Sequence, residues 1–269
     1  MAILETVIGL EVHVQLNTKS KIFSYDHNDF GNHPNSDVGA ITLAHPGTLP
    51  MVSKEVIDMG MKLGISLGGR INRNLIFDRK NYFYPDLPKG YQITQDATPI
   101  CKGGIVKIRS DDFPHFDIEL TKIHLEEDAG KSIHVQNTDF TNVDLNRSGV
   151  PLVEIVTEPV ITSSEQAGLC LIELRKLVRY LGISDGNMER GSLRCDANIS
   201  VRLPGAPLGS KVEVKNMNSI KNVRKAIDHE IERQTKMTAA GQTIISETRT
   251  YNPENNTTSG MRNKEVFND

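Results

Sequence analysis

Between residues 7 and 16 the chain alternates, with Ile8, Leu10, Val12, Val14 and Leu16 on one face and Gly9, Glu11, His13 and Gln15 on the other. A period of two predicts a half-buried strand, and it sets Glu11 and His13 side by side on the polar face, roughly 7 Å apart. The pattern returns late, where Leu193, Cys195, Ala197, Ile199 and Val201 alternate with Arg194, Asp196, Asn198, Ser200 and Arg202. Shorter runs predict strands over residues 116–125, 152–157 and 211–215. In the first of these the alternation slips between Leu120 and Ile123, as a bulge would make it.

Helical spacing is clearest in Ala167, Cys170, Leu171, Leu174, Leu177, Val178 and Leu181, with Ser163 and Gln166 as a capping box and Gly182 as the stop. A second helix is expected from Ser219, using Ile220, Val223, Ile227 and Ile231, and a weaker one over residues 53–67. Strands outnumber helices without alternating with them. The fold class is therefore α+β, with a largely antiparallel or mixed sheet, one acidic polar face and flanking helices. Residues 78–95, with two prolines, four aromatics and no period, read as a loop, and residues 239–269 as an exit segment.

Composition narrows the function classes. The 269 residues carry 31 Lys and Arg against 34 Asp and Glu, a net charge of −3, so bulk positive charge does not hold this chain to nucleic acid. Three cysteines, with no C-x-x-C pair, fit a reducing cytoplasm rather than a disulfide framework. No apolar run approaches the roughly eighteen residues of a membrane span, so no membrane partner is expected.

If the strands share one sheet, Glu11, His13, Asp196, Asn198, Glu213 and Lys215 lie on polar faces, and the bulged segment delivers His124, Glu126 and Glu127 at its end. Carboxylates with an imidazole suit Mg²⁺ or Mn²⁺. A solvated face of a one-sided sheet explains the same residues without an ion. Ala129-Gly130-Lys131-Ser132 imitates the end of a phosphate-binding loop, but the required earlier glycine would fall at Leu125. Lys80, Arg79 and Lys89, interleaved with Tyr82, Phe83, Tyr84 and Tyr91, could seat a phosphate backbone and a stacked base, or simply plug a sheet edge.

Six runs carry a resemblance: ETVIGLEVHVQL from residue 5, DRKNYFYPDLPKGYQITQ from 78, HLEEDAGKS from 124, DLNRSGVPLVEIVTEP from 144, ERGSLRCDANISVR from 189 and VEVKNMNS from 212. Together, and in order, they resemble the B-subunit family of the aspartyl/glutamyl-tRNA amidotransferases. The resemblance implies a catalytic domain of the glutamine synthetase or guanido kinase type over residues 1–238, with 239–269 leading toward helical and tail domains. It implies Mg·ATP-dependent phosphorylation of the side-chain carboxylate of Glu or Asp misacylated on tRNA, then amidation by ammonia. It implies as partners an amidase-type A subunit that supplies the ammonia and a small C subunit that completes a heterotrimer.

By the same resemblance Glu11, His13 and Glu127 are expected to hold the metal, with Glu126 a further catalytic carboxylate. Lys80 and Glu127 resemble the charged pair at the mouth of the ammonia channel and are expected to act as its gate. Glu154, Asp196, Arg194 and Lys215 are weaker candidates for substrate or phosphate contact. Many family members carry paired cysteines for zinc, but no Cys occurs between Phe23 and Gly47, so no zinc is expected. A non-catalytic RNA-binding scaffold and a metal-dependent hydrolase are the competing classes. An acidic cluster repels phosphate in the first, and the second needs turnover without tRNA.

Overall fold

The two alternating runs pair with each other. In the computed structural model, which describes residues 4–110, 112–135 and 138–261, β1 (Glu5–Gln15) lies antiparallel to β11 (Leu193–Arg202), with Glu11 opposite Asp196 and His13 opposite Arg194. On its other side β1 pairs with β10 (Pro151–Thr157), where His13 faces Glu154. β10 pairs in turn with β7 (Phe116–Glu127), where Glu154 faces His124.

The sheet extends on one side through β5 (Cys101–Lys102) to β2 (Arg70–Ile71), with β6 (Ile105–Ile108) also on β7. On the other it runs through β12 (Val212–Lys215) to β13 (Glu247–Asn252) and β14 (Thr257–Gly260), ten strands in all. Among the described residues only the β12–β13 pair is parallel. The sheet is thus mixed and largely antiparallel, as its pattern predicts. Of residues 239–269, read as an exit segment, the part up to 261 contributes two of its strands, and 262–269 lie outside the described residues.

The expected bulge is present. Val156 opposes Lys122 while Thr157 opposes Leu120, which leaves Thr121 as the extra residue. Before it Ile118 and Leu120 are buried; after it Ile123 and Leu125 are, so the bulge reverses which residues of β7 face the core. His124 and Glu126 are thereby turned onto the polar side.

Helices α1 (Lys54–Ser66), α2 (Ser164–Tyr180) and α3 (Ile220–Ala239) bring their apolar residues to the sheet's apolar face. Leu171, Leu174 and Val178 of α2 and Val223 and Ile227 of α3 join Ile8, Leu10, Val12, Ile155, Ala197 and Ile199 in one core. Burial of that apolar area is the main stabilising term. Ser163 accepts from the Gln166 N–H at 3.2 Å, while the Gln166 side chain accepts from the Thr162 N–H at 2.9 Å, so the capping box reaches one residue further back than its usual form. Gly182 takes the left-handed φ of 68° that ends α2. Cys101, Cys170 and Cys195 are buried thiols, and burial pushes Cys170 up to about 12, far from a nucleophile. Among the described residues no helix is long and apolar enough to cross a membrane.

Two smaller features bear on the site. The stretch read as a loop holds a hairpin, β3 (Asp78–Asn81) with β4 (Tyr91–Thr94), whose short strands and flanking prolines hide its period. β4 meets β7 through side chains rather than a ladder. Gln92 Nε2 donates to the Glu127 carbonyl at 2.7 Å, the Ile93 N–H to Glu127 Oε1 at 2.9 Å, and the Leu125 N–H to Gln95 Oε1 at 3.0 Å. A second hairpin, β8 (Lys131–His134) with β9 (Thr141–Asp144), follows the Gly130 turn. A Cβ on Gly130 would stand 2.9 Å from the Asp86 carbonyl oxygen, so this glycine serves close backbone packing rather than a phosphate.

At the other end, Glu230 of α3 is fully buried and clamps the last two strands. Its carboxylate accepts from Arg233 Nη2 at 2.6 Å, Gln234 Nε2 at 2.9 Å and Thr258 Oγ1 at 3.1 Å, and Arg249 of β13 approaches at 3.7 Å.

Lys21 is also fully buried, its ammonium donating to the Asp37 carbonyl at 2.7 Å. Burial, against the pull of Asp26 and Asp37, lowers it from 10.5 to about 8. Between those two values the unfolded chain binds more protons than the folded one, so stability rises with pH across that window. The shift corresponds to about 3 kcal/mol. Thermal unfolding of the wild type should gain stability from pH 8 to 10 relative to Lys21→Met. Parallel curves for the two proteins would show that Lys21 is not the group responsible.

Candidate metal and phosphate site

Four strands bring one polar row together. His124, Glu154, His13 and Arg194 stand in register across β7, β10, β1 and β11, with Glu126 beside them on β7. Glu154 Oε2 lies 3.0 Å from His124 Nε2 and 3.3 Å from His13 Nε2, and Glu126 is 3.5 Å from the first imidazole and 3.6 Å from the second. Burial would lower His124, but Glu126 and Glu154 outweigh it and raise the ring to about 9. His13 is raised in the same way, burial again opposing Glu154 and Glu126. Against the cost of burial, the same two imidazoles hold Glu154 well below the usual carboxylate range.

One donor atom each from His13, Glu126 and Glu154 lies within 4.8 Å of the others. Two carboxylates and an imidazole, with no thiolate, form a donor set that fits Mg²⁺ or Mn²⁺. The ring nitrogen Nδ1 of His124 is buried without a hydrogen-bond partner.

The expected trio of Glu11, His13 and Glu127 does not assemble. Strand alternation puts Glu127 on the face of Ile123 and Leu125, opposite to Glu126. Glu11 stands one row away, opposite Asp196, and accepts from Asn198 Nδ2 at 2.8 Å. The Glu127 carboxylate is engaged by Lys89, not Lys80. Lys80 is exposed on β3, the outer strand of its hairpin, whereas Lys89 lies two residues before β4, which lies against β7. Lys89 also sits over the Tyr91 ring, 5.6 Å from its centroid, and Arg79 lies 5.7 Å from the same ring. Those two basic residues thus both lie against Tyr91, while Phe83 and Tyr84 stay exposed at the turn of the hairpin.

Of the weaker candidates, Glu154 joins the cluster. Asp196 binds Lys215 at 2.5 Å, and Lys215 also meets Glu213 at 2.9 Å. Burial would lower Lys215, but Asp196 and Glu213 raise it, so it stays charged. Arg194 pairs with Asp128 at 2.9 Å. The polar face is therefore a band of carboxylates and imidazoles with a cation on its β12 side and another at its β11 edge.

The sequence matches the GatB/GatE catalytic domain family over residues 6–269. The chain belongs to that family. The B subunit of the aspartyl/glutamyl-tRNA(Asn/Gln) amidotransferase of Hydrogenovibrio crunogenus is 50% identical over 266 residues, covering 98% of this chain and 56% of that protein. Its counterpart of the same name from Chlorobium limicola is 52% identical over 266 residues, with the same coverage. That from Rickettsia rickettsii strain Sheila Smith is 49% identical over 261 residues, or 97% of this chain and 54% of the relative. The GatB/GatE domain described here thus spans about half the length of the curated relatives it matches. Within this family domain, His13 and Glu126 were legible in the strand pattern, whereas Lys89 and Asp128 acquire partners only when β4 and the turn after β7 close on the sheet.

Proposed function

We propose that the chain is the catalytic domain of an amidotransferase B subunit. It would use ATP to phosphorylate the side-chain carboxylate of Glu or Asp misacylated on tRNA(Gln) or tRNA(Asn), before ammonia displaces the phosphate. The observation that carries this reading is the His13–Glu126–Glu154 cluster on the polar sheet face of a GatB/GatE domain. The fold is read as the glutamine synthetase type, which performs the same two-step amidation, and the largely antiparallel sheet with one acidic face supports it. An amidase-type A subunit and a small C subunit are the expected partners, and the three reduced, buried thiols fit work in the cytoplasm.

His13, Glu126 and Glu154 would hold Mg²⁺ or Mn²⁺, and a divalent ion there neutralises charge on the transferring phosphoryl group. Glu11 and Asp196 shape the adjoining row, where Lys215 is held between two carboxylates. An acceptor oxygen attacks the γ-phosphorus as ADP leaves; ammonia then attacks the acyl carbon and phosphate departs. For the second step the chain's contribution is positional. Glu127 and Lys89, on the other side of β7, take the place the resemblance assigns to Glu127 and Lys80 as the pair that closes the ammonia path. Their ion pair has to open before ammonia passes.

The full-length protein assembled with its partners is the material for the test. ATP cleavage should require both a divalent ion and misacylated tRNA. Equal cleavage without tRNA would replace this reading with a metal-dependent hydrolase.

A further inference from the structure

The turn after β7 carries a carboxylate that the metal cluster does not use. Asp128 is fixed by its backbone, its N–H donating to the Val150 carbonyl at 2.9 Å and its carbonyl accepting from the Gly149 N–H at 2.9 Å. Its side chain is buried, and three donors converge on the single oxygen Oδ2. Arg194 Nη2 stands at 2.9 Å, Gln15 Nε2 at 3.0 Å and Arg147 Nε at 3.7 Å. Arg147 is already committed to the carbonyls of Ala129 and Gly130, at 2.9 and 2.6 Å. Gln15 lies two residues from His13 on the same face of β1, which ties Asp128 to the strand that carries the imidazole.

Arg194 is placed differently from Lys215. Lys215 is held between Asp196 and Glu213. The Arg194 guanidinium meets Asp128 at Nη2 and leaves about a third of its side chain exposed, directly across β1 from Glu154. A guanidinium has five N–H donors in a planar fork that matches carboxylate and phosphate oxygens. A free arginine side chain would lose rotamer entropy on gripping such an anion. Holding the fork in advance removes that cost from the binding step.

Resting on the amidotransferase reading above, we propose that Asp128 is a positioning residue. Its carboxylate holds the Arg194 guanidinium at the edge of the His13–Glu126–Glu154 cluster, where the remaining N–H groups receive an oxyanion of the reaction. That oxyanion is a phosphate of the nucleotide or the side-chain carboxylate of the acceptor.

The test compares Asp128→Asn, Arg194→Lys and the double variant in the full-length enzyme with its partner subunits, measuring kcat and KM for ATP and for misacylated tRNA separately. A charge-assisted hydrogen bond to an anion is worth enough for about a tenfold change. Each single variant should raise one KM about tenfold while kcat changes less, and the double variant should be no worse than Arg194→Lys, since Asp128 acts through Arg194. A rise in the KM for ATP identifies the phosphate, and a rise in that for tRNA the acceptor carboxylate. Unchanged KM values, or losses that add in the double variant, overturn the proposal. Should Asp128→Asn fail to accumulate, Arg194→Lys alone decides, because a normal KM for both substrates removes the fork. Wild-type enzyme without tRNA-dependent ATP cleavage would instead refute the amidotransferase reading itself.

Discussion

Glu154→Gln, in the full-length protein assembled with its partners, is expected to lose saturable Mn²⁺ binding and to cut tRNA-dependent ATP cleavage by roughly a thousandfold. The magnitude follows from the several kcal/mol that a divalent ion contributes at a transferring phosphoryl group. Glu154 is the centre of the cluster, facing His13 on one neighbouring strand and His124 on the other. The amide keeps the shape and one acceptor oxygen but removes the charge, which leaves Glu126 as the one carboxylate of the cluster for a cation and the two raised imidazoles. Electron paramagnetic resonance of Mn²⁺ reports the binding directly. Glu127→Gln serves as the internal contrast, since its carboxylate lies on the far side of β7 and engages Lys89. Retention of full Mn²⁺ affinity by Glu154→Gln would move the ion elsewhere on the sheet, with Glu11 and Asp196 as the next carboxylates along.

Glu230→Ala carries the largest expected loss of stability, about 3–5 kcal/mol, the range for removing one member of a buried ion pair. The side chain has no exposure and satisfies Arg233, Gln234 and Thr258 at once, with Arg249 nearby. Without it two guanidinium groups, only 21% and 14% exposed, keep much of their burial and lose their shared acceptor. Because Arg249 belongs to β13 and Thr258 to β14, the loss should appear first as faster hydrogen exchange in those two strands, ahead of the core of β1. Equilibrium denaturation gives the total. A change below about 1 kcal/mol would mean that solvent reaches and screens the pair.

The sheet's long strands were legible because each is buried on one face and wet on the other, which writes a period of two over eight residues or more. The bulge could be placed for the same reason, since an extra residue is what shifts the apolar positions from even to odd between Leu120 and Ile123. β3 and β4 escaped notice because each has four residues and β4 is held to the sheet by Gln92, Gln95 and the Ile93 N–H, contacts that leave no alternation behind. β13 and β14 were hidden by their Glu, Arg, Thr, Asn, Ser and Gly residues, of which Arg249 and Thr258 meet Glu230 through polar side chains.

The metal candidates were read at the level of a face, not of a register. His13 and Glu126 follow from the strand pattern, but Glu154 enters the cluster only because β10 pairs with β1 so that it falls opposite His13. Glu126 lies with His13 and Glu154 whereas Glu127 engages Lys89, because in a strand one residue is the difference between two sides of the sheet. Lys80 and Lys89 are separated by a hairpin turn that the sequence of residues 78–95 does not display.

Thr121, the residue of β7 with no partner on β10, lies outside the cluster, yet it decides which carboxylate meets which side chains. The strand enters with even-numbered residues toward the core and leaves with odd-numbered ones there, and this inversion of parity gives Glu126 to the imidazoles and Glu127 to Lys89. Two adjacent acids are thereby assigned to two compartments that share a wall one strand thick. With the count shorter by one, each acid would face the other's partners, and the division of labour would rest on the wrong side of the wall.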